Sequence, residues 1–244
     1  MSVFSVLLAM LGFLLFHSAS LSIIFVVISA FCFNAATRAY NSIKDVKEDA
    51  INRKRVNPFV HRREGKWIIG SLYVAGFASS LFLGTVAIAA YILVTIAGIS
   101  YTLFSMNARS FSHLLKNFYS GANIPLLMVM GAGLVNAEVL VYYFVLGLFI
   151  FLGSVISDLR DYSGDKQTGK RSLATVYSYG EGRLVAVASL LAFDFLVVGL
   201  SIFHLALFVA ASFVMIALLF ANKPRVAHIS GGLALMSTVV MLLL

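Results

Sequence analysis

LVYYFVLGLFIFLGSVISDLRDYSGD, residues 140–165, runs from one kind of sequence into another without a turn residue between them. Up to Ser157 the stretch carries no charge. A helical crossing of the hydrocarbon takes about 20 such residues, so it predicts a membrane helix over 138–157. Asp158, Asp161 and Asp165 follow at i, i+3 and i+7, a spacing that a helix gathers onto a single stripe. An apolar crossing that ends in a row of carboxylates implies a polar site at a membrane face.

A second stretch repeats the pattern. After an apolar run over 19–41 comes NSIKDVKED, in which Asn41, Asp45 and Asp49 stand at i, i+4 and i+8. On a helix three oxygen-bearing side chains then stack along one stripe. Like charges at that spacing repel and weaken the helix unless something neutralises them. Hard divalent cations do so, and Mg²⁺ prefers carboxylate and phosphate oxygens while keeping several waters. A single stripe reads as a solvated helix end balanced by Lys44, Lys47 and Lys166; two at the same depth favour a cation and a phosphate-bearing ligand.

Composition fixes the surroundings. Of 244 residues, 61% are hydrophobic and 11% charged, where a soluble domain carries about a quarter charged. A soluble globular protein and a disordered chain are both excluded, and the long apolar runs lack the alternation of barrel strands. The expected class is all-α: a single-domain polytopic membrane protein spanning 1–244. Its nine crossings fall near 1–16, 19–41, 67–84, 86–105, 118–134, 138–157, 182–201, 204–221 and 226–244. The N-terminal run lacks the basic region of a signal peptide and reads as a helix that stays.

The 18 basic residues test that layout. Counted by the loop or helix end they occupy, all of them belong to the loops that follow the second, fourth, sixth and eighth crossings, and none to the turns around His17, Gly84, Asn136 and His204. Nine crossings put the four basic loops on one face, which the positive-inside tendency makes cytoplasmic, with the N-terminus inside and the C-terminus outside. A prokaryotic cell membrane is the expected location. Eight of the ten acids share that face; Glu138 and Asp194 do not. The net charge of +8 therefore belongs to one face, and no aromatic-and-basic module marks a nucleic-acid partner.

With residues 41–53 and 158–172 in view, the chain resembles the UbiA superfamily of intramembrane prenyltransferases. The first family signature, NxxxDxxxD followed by Asn-Arg, is matched by Asn41, Asp45, Asp49, Asn52 and Arg53. The second is matched by Asp158, Asp161, Gly164, Asp165, Gly169 and Arg171, with Ser172 where Thr is usual. A third, a Tyr followed shortly by Lys, departs: Tyr101 is present, but Met106 stands where a base is expected and Arg109 and Lys116 come later. The segment NRKRVNPF also has Pro58 alone where relatives have Pro-rich turns.

The resemblance implies a nine-helix bundle with both motifs facing a cytoplasm-side polar cavity. It implies Mg²⁺ held by Asp45, Asp49, Asp161 and Asp165, with Asn41 and Asp158 as further ligands. Arg53, Lys116, Lys170 and Arg171, with Arg109 as a substitute, would bind the diphosphate. The implied partners are a prenyl diphosphate such as geranylgeranyl diphosphate, a small aromatic or phosphoglycerol-type acceptor, and the bilayer. The 21 Phe and 10 Tyr are a supply of rings to shield an allylic cation.

Other features carry less. GDKQTGKR, residues 164–171, approaches a phosphate-binding loop but lacks Ser or Thr after Lys170 and a preceding strand; its glycines instead predict a break in the helix. Asp194 lies mid-helix, either as a functional intramembrane acid or as a packing residue. Tyr142 and Tyr143 read as an interfacial belt, Cys32 as a small buried hydrophobe, and the five His show no ligand spacing. The competing reading is an ion-coupled transporter using the paired acidic clusters, which would place acids near the bilayer midplane on broken helices. An alcohol phosphotransferase is opposed by the absence of its Asp-Gly…Ala-Arg segment.

Overall fold

The computed structural model describes residues 2–44, 63–107, 113–169 and 171–244. Every regular element among them is helical. The helices are α1 (Ser2–Phe16), α2 (Ile23–Lys44), α3 (Arg63–Ser80), α4 (Thr85–Asn107), α5 (His113–Asn123), α6 (Leu126–Ala132), α7 (Ala137–Thr168), α8 (Leu173–Val176), α9 (Tyr179–Gly199), α10 (Ala206–Phe220) and α11 (Pro224–Leu243). Among the described residues seven segments, built on α2, α3, α4, α7, α9, α10 and α11, are long and apolar enough to cross a membrane. Phe195 (77% exposed) and Phe203 (81%) show the surface such helices turn outward, tolerable only against lipid.

The two remaining expected crossings are built differently. The first is α1, at 15 residues shorter than the roughly 20 a perpendicular crossing takes. The fifth, expected as one helix over 118–134, is two: Pro125 lacks an amide hydrogen, and α5 stops before it while α6 starts after it.

The chain forms two compact units. The first comprises Met1–Ala108 with Asn123–Leu140, the second Arg109–Ala122 with Val141–Leu244. In the first, α1 packs on α2 and α6, α2 on α3, and α4 on α6. Backbones approach closely where α1 crosses α6: a Cβ on Gly12 would collide with the Met128 carbonyl, and one on Gly131 with that of Ala9. Without a hydrophobic drive between helices in lipid, such small-residue contacts carry the association. Polar pairs add to it: Ser29 Oγ donates to the Gly76 carbonyl at 3.0 Å, Tyr91 Oη to that of Tyr73 at 2.8 Å, and the Thr37 and Tyr73 hydroxyls meet at 3.0 Å.

In the second unit α9, α10 and α11 pack in sequence, and Phe149 of α7 ties them together. Its ring lies 5.1 Å from that of Phe193 and 4.8 Å from that of Phe208, and its edge fills the space beside Gly231. Asp194 is buried on α9 and accepts a hydrogen bond from Ser212 of α10, so this acid joins two helices. Tyr142 departs from the interfacial belt: it is buried, and its hydroxyl meets His204 Nδ1 at 3.1 Å.

Within each unit, contacts bring some of the turns and helix ends together. In the first, the turns after α1, α3 and α6 line one recess through His17, Ser18, Phe82, Leu83 and Gly133, and His17 Nε2 meets the Ala132 carbonyl at 2.7 Å. The opposite ends of α2 and α4 meet where Thr102 donates to Asn41. In the second, the basic start of α9 meets the basic turn before α11 through Arg183 Nη1 and Asn222 Oδ1, 3.0 Å apart.

Candidate functional site

The second acidic stripe lies wholly within the described residues. Helix α7 has 32 residues, roughly 48 Å at ~1.5 Å per residue, against a hydrocarbon core of about 30 Å. The predicted helix ended at Ser157 because hydropathy marks the span, not the helix. Asp158, Asp161 and Asp165 therefore stand on helical backbone, on the stripe their spacing predicts. Gly164 does not break the helix as expected: it is buried within α7, and the stop comes at Gly169, whose φ of 70° is the left-handed geometry that ends helices.

Asp158 is 1% exposed and Asp165 4%. A buried carboxylate needs hydrogen-bond donors or a cation, and α5 supplies one donor. Asn117, fully buried, donates from Nδ2 to Asp158 Oδ2 at 3.0 Å while its Oδ1 accepts from Ser154 Oγ at 2.5 Å. The close packing of α5 on α7 makes this reach: a Cβ on Gly121, one turn along, would come 2.8 Å from the Gly147 carbonyl, and the Phe118 and Phe151 rings meet at a 43° tilt, 4.9 Å apart, beside it. Asn117 escapes sequence reasoning because its partner is 41 residues away; the signal was an amide in the short polar run KNFYS ahead of an apolar segment.

Asp161 is held by its neighbour. Arg160 Nε donates to Oδ1 at 2.9 Å and Nη2 to Oδ2 at 2.8 Å. At the end of the stripe Lys166 lies 5.6 Å above the Tyr162 ring, which meets Tyr179 edge-on at 5.8 Å. Arg171 is exposed. Ser172 caps α8, its backbone N–H donating to Thr175 Oγ1 at 2.8 Å, as a capping box requires.

The first stripe is described only at its start. Asn41 is half-buried near the end of α2 and accepts the Thr102 hydroxyl of α4. Thr102 is itself buried and follows Tyr101, the residue singled out from the sequence. Asp45, Asp49, Arg53, Arg109 and Lys170 lie outside the described residues, as does the side chain of Lys116. Among the described residues no three His, Cys, Asp or Glu converge closely enough to hold a metal. The donors on α7 are all carboxylate oxygens, the type a hard divalent cation takes, so their chemistry fits Mg²⁺ while a complete shell needs further oxygens.

Among the described residues seven apolar spans, one of them continued by a stripe of three carboxylates, define the class: a polytopic α-helical membrane protein. The chain belongs to the UbiA prenyltransferase family, whose model matches residues 2–234. Two solved structures share the fold. An apo UbiA homologue from Aeropyrum pernix K1 is 19% identical with a TM-score of 0.77, covering 100% of this chain and 98% of that one. A structure described as digeranylgeranylglyceryl phosphate synthase in membranes is 20% identical with a TM-score of 0.69, covering 99% of this chain and 92% of that one. No curated protein matches. The chain is thus an integral membrane prenyltransferase by family, which sets the ion-coupled transporter reading aside.

Proposed function

We propose that residues 1–244 act as one domain that transfers a prenyl group from a polyprenyl diphosphate to an aromatic or phosphoglycerol-type acceptor within the membrane. The observation that carries this reading is the stripe Asp158, Asp161 and Asp165, two of its acids buried, on the helical extension of α7. In this reading α1 and the α5–α6 pair complete nine crossings around a polar cavity. The four basic loops face the cytoplasm, the N-terminus inside and the C-terminus outside. The family's solved synthase favours a phosphoglycerol acceptor and a geranylgeranyl donor.

Asp45, Asp49, Asp161 and Asp165 would hold Mg²⁺, with Asn41 and Asp158 as further oxygen ligands. The chemistry the cation supplies when bound is neutralisation of charge on the departing diphosphate. Arg53, Lys116, Lys170 and Arg171, with Arg109, add fixed positive charge there. Because this charge grows as the bond breaks, such groups lower the barrier more than they tighten ground-state binding. The allylic C–O bond breaks with its electron pair going to diphosphate; the acceptor's nucleophilic atom bonds to the carbon and loses its proton. Asn117 keeps Asp158 fixed throughout.

The test is mass spectrometry of lipids formed when proteoliposomes holding the protein receive geranylgeranyl diphosphate, Mg²⁺ and a panel of aromatic and phosphoglycerol acceptors. A Mg²⁺-dependent product heavier than one acceptor by one prenyl group is expected. Release of no diphosphate with any donor length or acceptor would overturn the reading.

A further inference from the structure

Asp161, an acid assigned above to the cation, is engaged on both oxygens by the forked guanidinium of Arg160. Successive residues of a helix point about 100° apart, so the pair closes only because the Arg160 side chain folds back across the surface of α7. The two side chains are 20% and 21% exposed, so water screens the pair only in part. Arg160 also lies within electrostatic range of Asp158, Asp165 and, from α11, His228, which is hydrogen-bonded to the Gly153 backbone. Three carboxylates on one stripe repel one another, and Arg160 offsets part of this charge at its centre. The same fork fits a phosphate as well as a carboxylate.

We propose that Arg160 is a displaceable counter-ion and a further diphosphate-binding residue. It holds Asp161 while the site is empty of ligand, releases Asp161 when a divalent cation takes that carboxylate's oxygens, and turns its fork onto the diphosphate. Charge is matched in both states: guanidinium on carboxylate before, cation on carboxylate and guanidinium on phosphate after. The inference rests on the proposed role of Asp161 as a cation ligand.

The test is Mn²⁺ binding, followed by electron paramagnetic resonance, to the protein in lipid nanodiscs, with Mn²⁺ alone and with Mn²⁺ plus inorganic pyrophosphate. Arg160→Gln removes charge and fork; Arg160→Lys keeps the charge and loses the fork, and carries the test should the Gln variant not fold. Both variants are expected to bind Mn²⁺ alone about tenfold more tightly than wild type, and pyrophosphate about tenfold more weakly, the scale of a forked charge-assisted pair. Arg160→Lys binding Mn²⁺ as wild type does, or either variant keeping full pyrophosphate affinity, would overturn the proposal. Asp161→Asn separates the two levels: Mn²⁺ binding unaffected by that change removes the role of Asp161 and this inference with it. Binding that depends on Asp161 but is indifferent to Arg160 removes this inference alone.

Discussion

Asn117 shows how one buried amide holds a buried acid of the α7 stripe in place. Its Nδ2 faces Asp158 and its Oδ1 faces Ser154, so the amide cannot flip without placing oxygen against carboxylate. Asn117→Ala leaves Asp158 one donor short in a buried position. Partners that hold a metal ligand are worth about 10–100-fold in affinity or activity when removed. The Mg²⁺ concentration for half-maximal diphosphate release is therefore expected to rise at least about tenfold; an unchanged Mg²⁺ titration would contradict the role. Asp194 behaves differently. Its bond with Ser212 joins two helices, and an amide oxygen accepts that bond equally well, so Asp194→Asn is expected to keep turnover within about twofold, measured in the same assay.

At the scale of elements, helix ends and helix contacts obey different rules. Apolar run length located α7 but not its end, because α7 continues as a polar helix until Gly169 adopts φ 70°. Conversely the run over 118–134 concealed a break at Pro125 that the proline itself announces. Close contacts are still less legible: nothing in the spacing of Gly12 or Gly131 identifies Met128 and Ala9 as their opposites. Gly12→Leu forces side-chain volume against a backbone carbonyl, and overpacking of that kind costs about 1–3 kcal/mol. A lower thermal unfolding midpoint in detergent is expected for Gly12→Leu, and none for Gly153→Leu, beside which the structure leaves open space.

At the scale of the molecule, hydropathy located the seven long apolar spans, and charge placement sorts the turns between them. In the first unit, the turns at His17 and Leu83 that line one recess carry no basic residue. Carboxylate spacing was legible: Asp158, Asp161 and Asp165 belong to one helix, and a helix converts sequence interval directly into position. Asn117, Thr102 and the Arg160–Asp161 pair were not legible, since they depend on which helix packs against which, or on where one long side chain folds. The proposed topology has its own check. With the single cysteine removed as Cys32→Ala, a cysteine at Ser18 is expected to react with an impermeant maleimide from outside intact cells, and one at Lys223 only in inverted vesicles; the opposite pattern would reverse the orientation.

The central claim is that the two acidic stripes act together on a prenyl diphosphate through a divalent cation. The most direct measurement is the Mg²⁺-dependent release of diphosphate from geranylgeranyl diphosphate by purified wild type and by Asp45→Ala, Asp49→Ala, Asp161→Ala and Asp165→Ala, each checked for folding by thermal unfolding. The account predicts that every folded variant loses Mg²⁺-dependent release; near-full turnover in any one of them would contradict it.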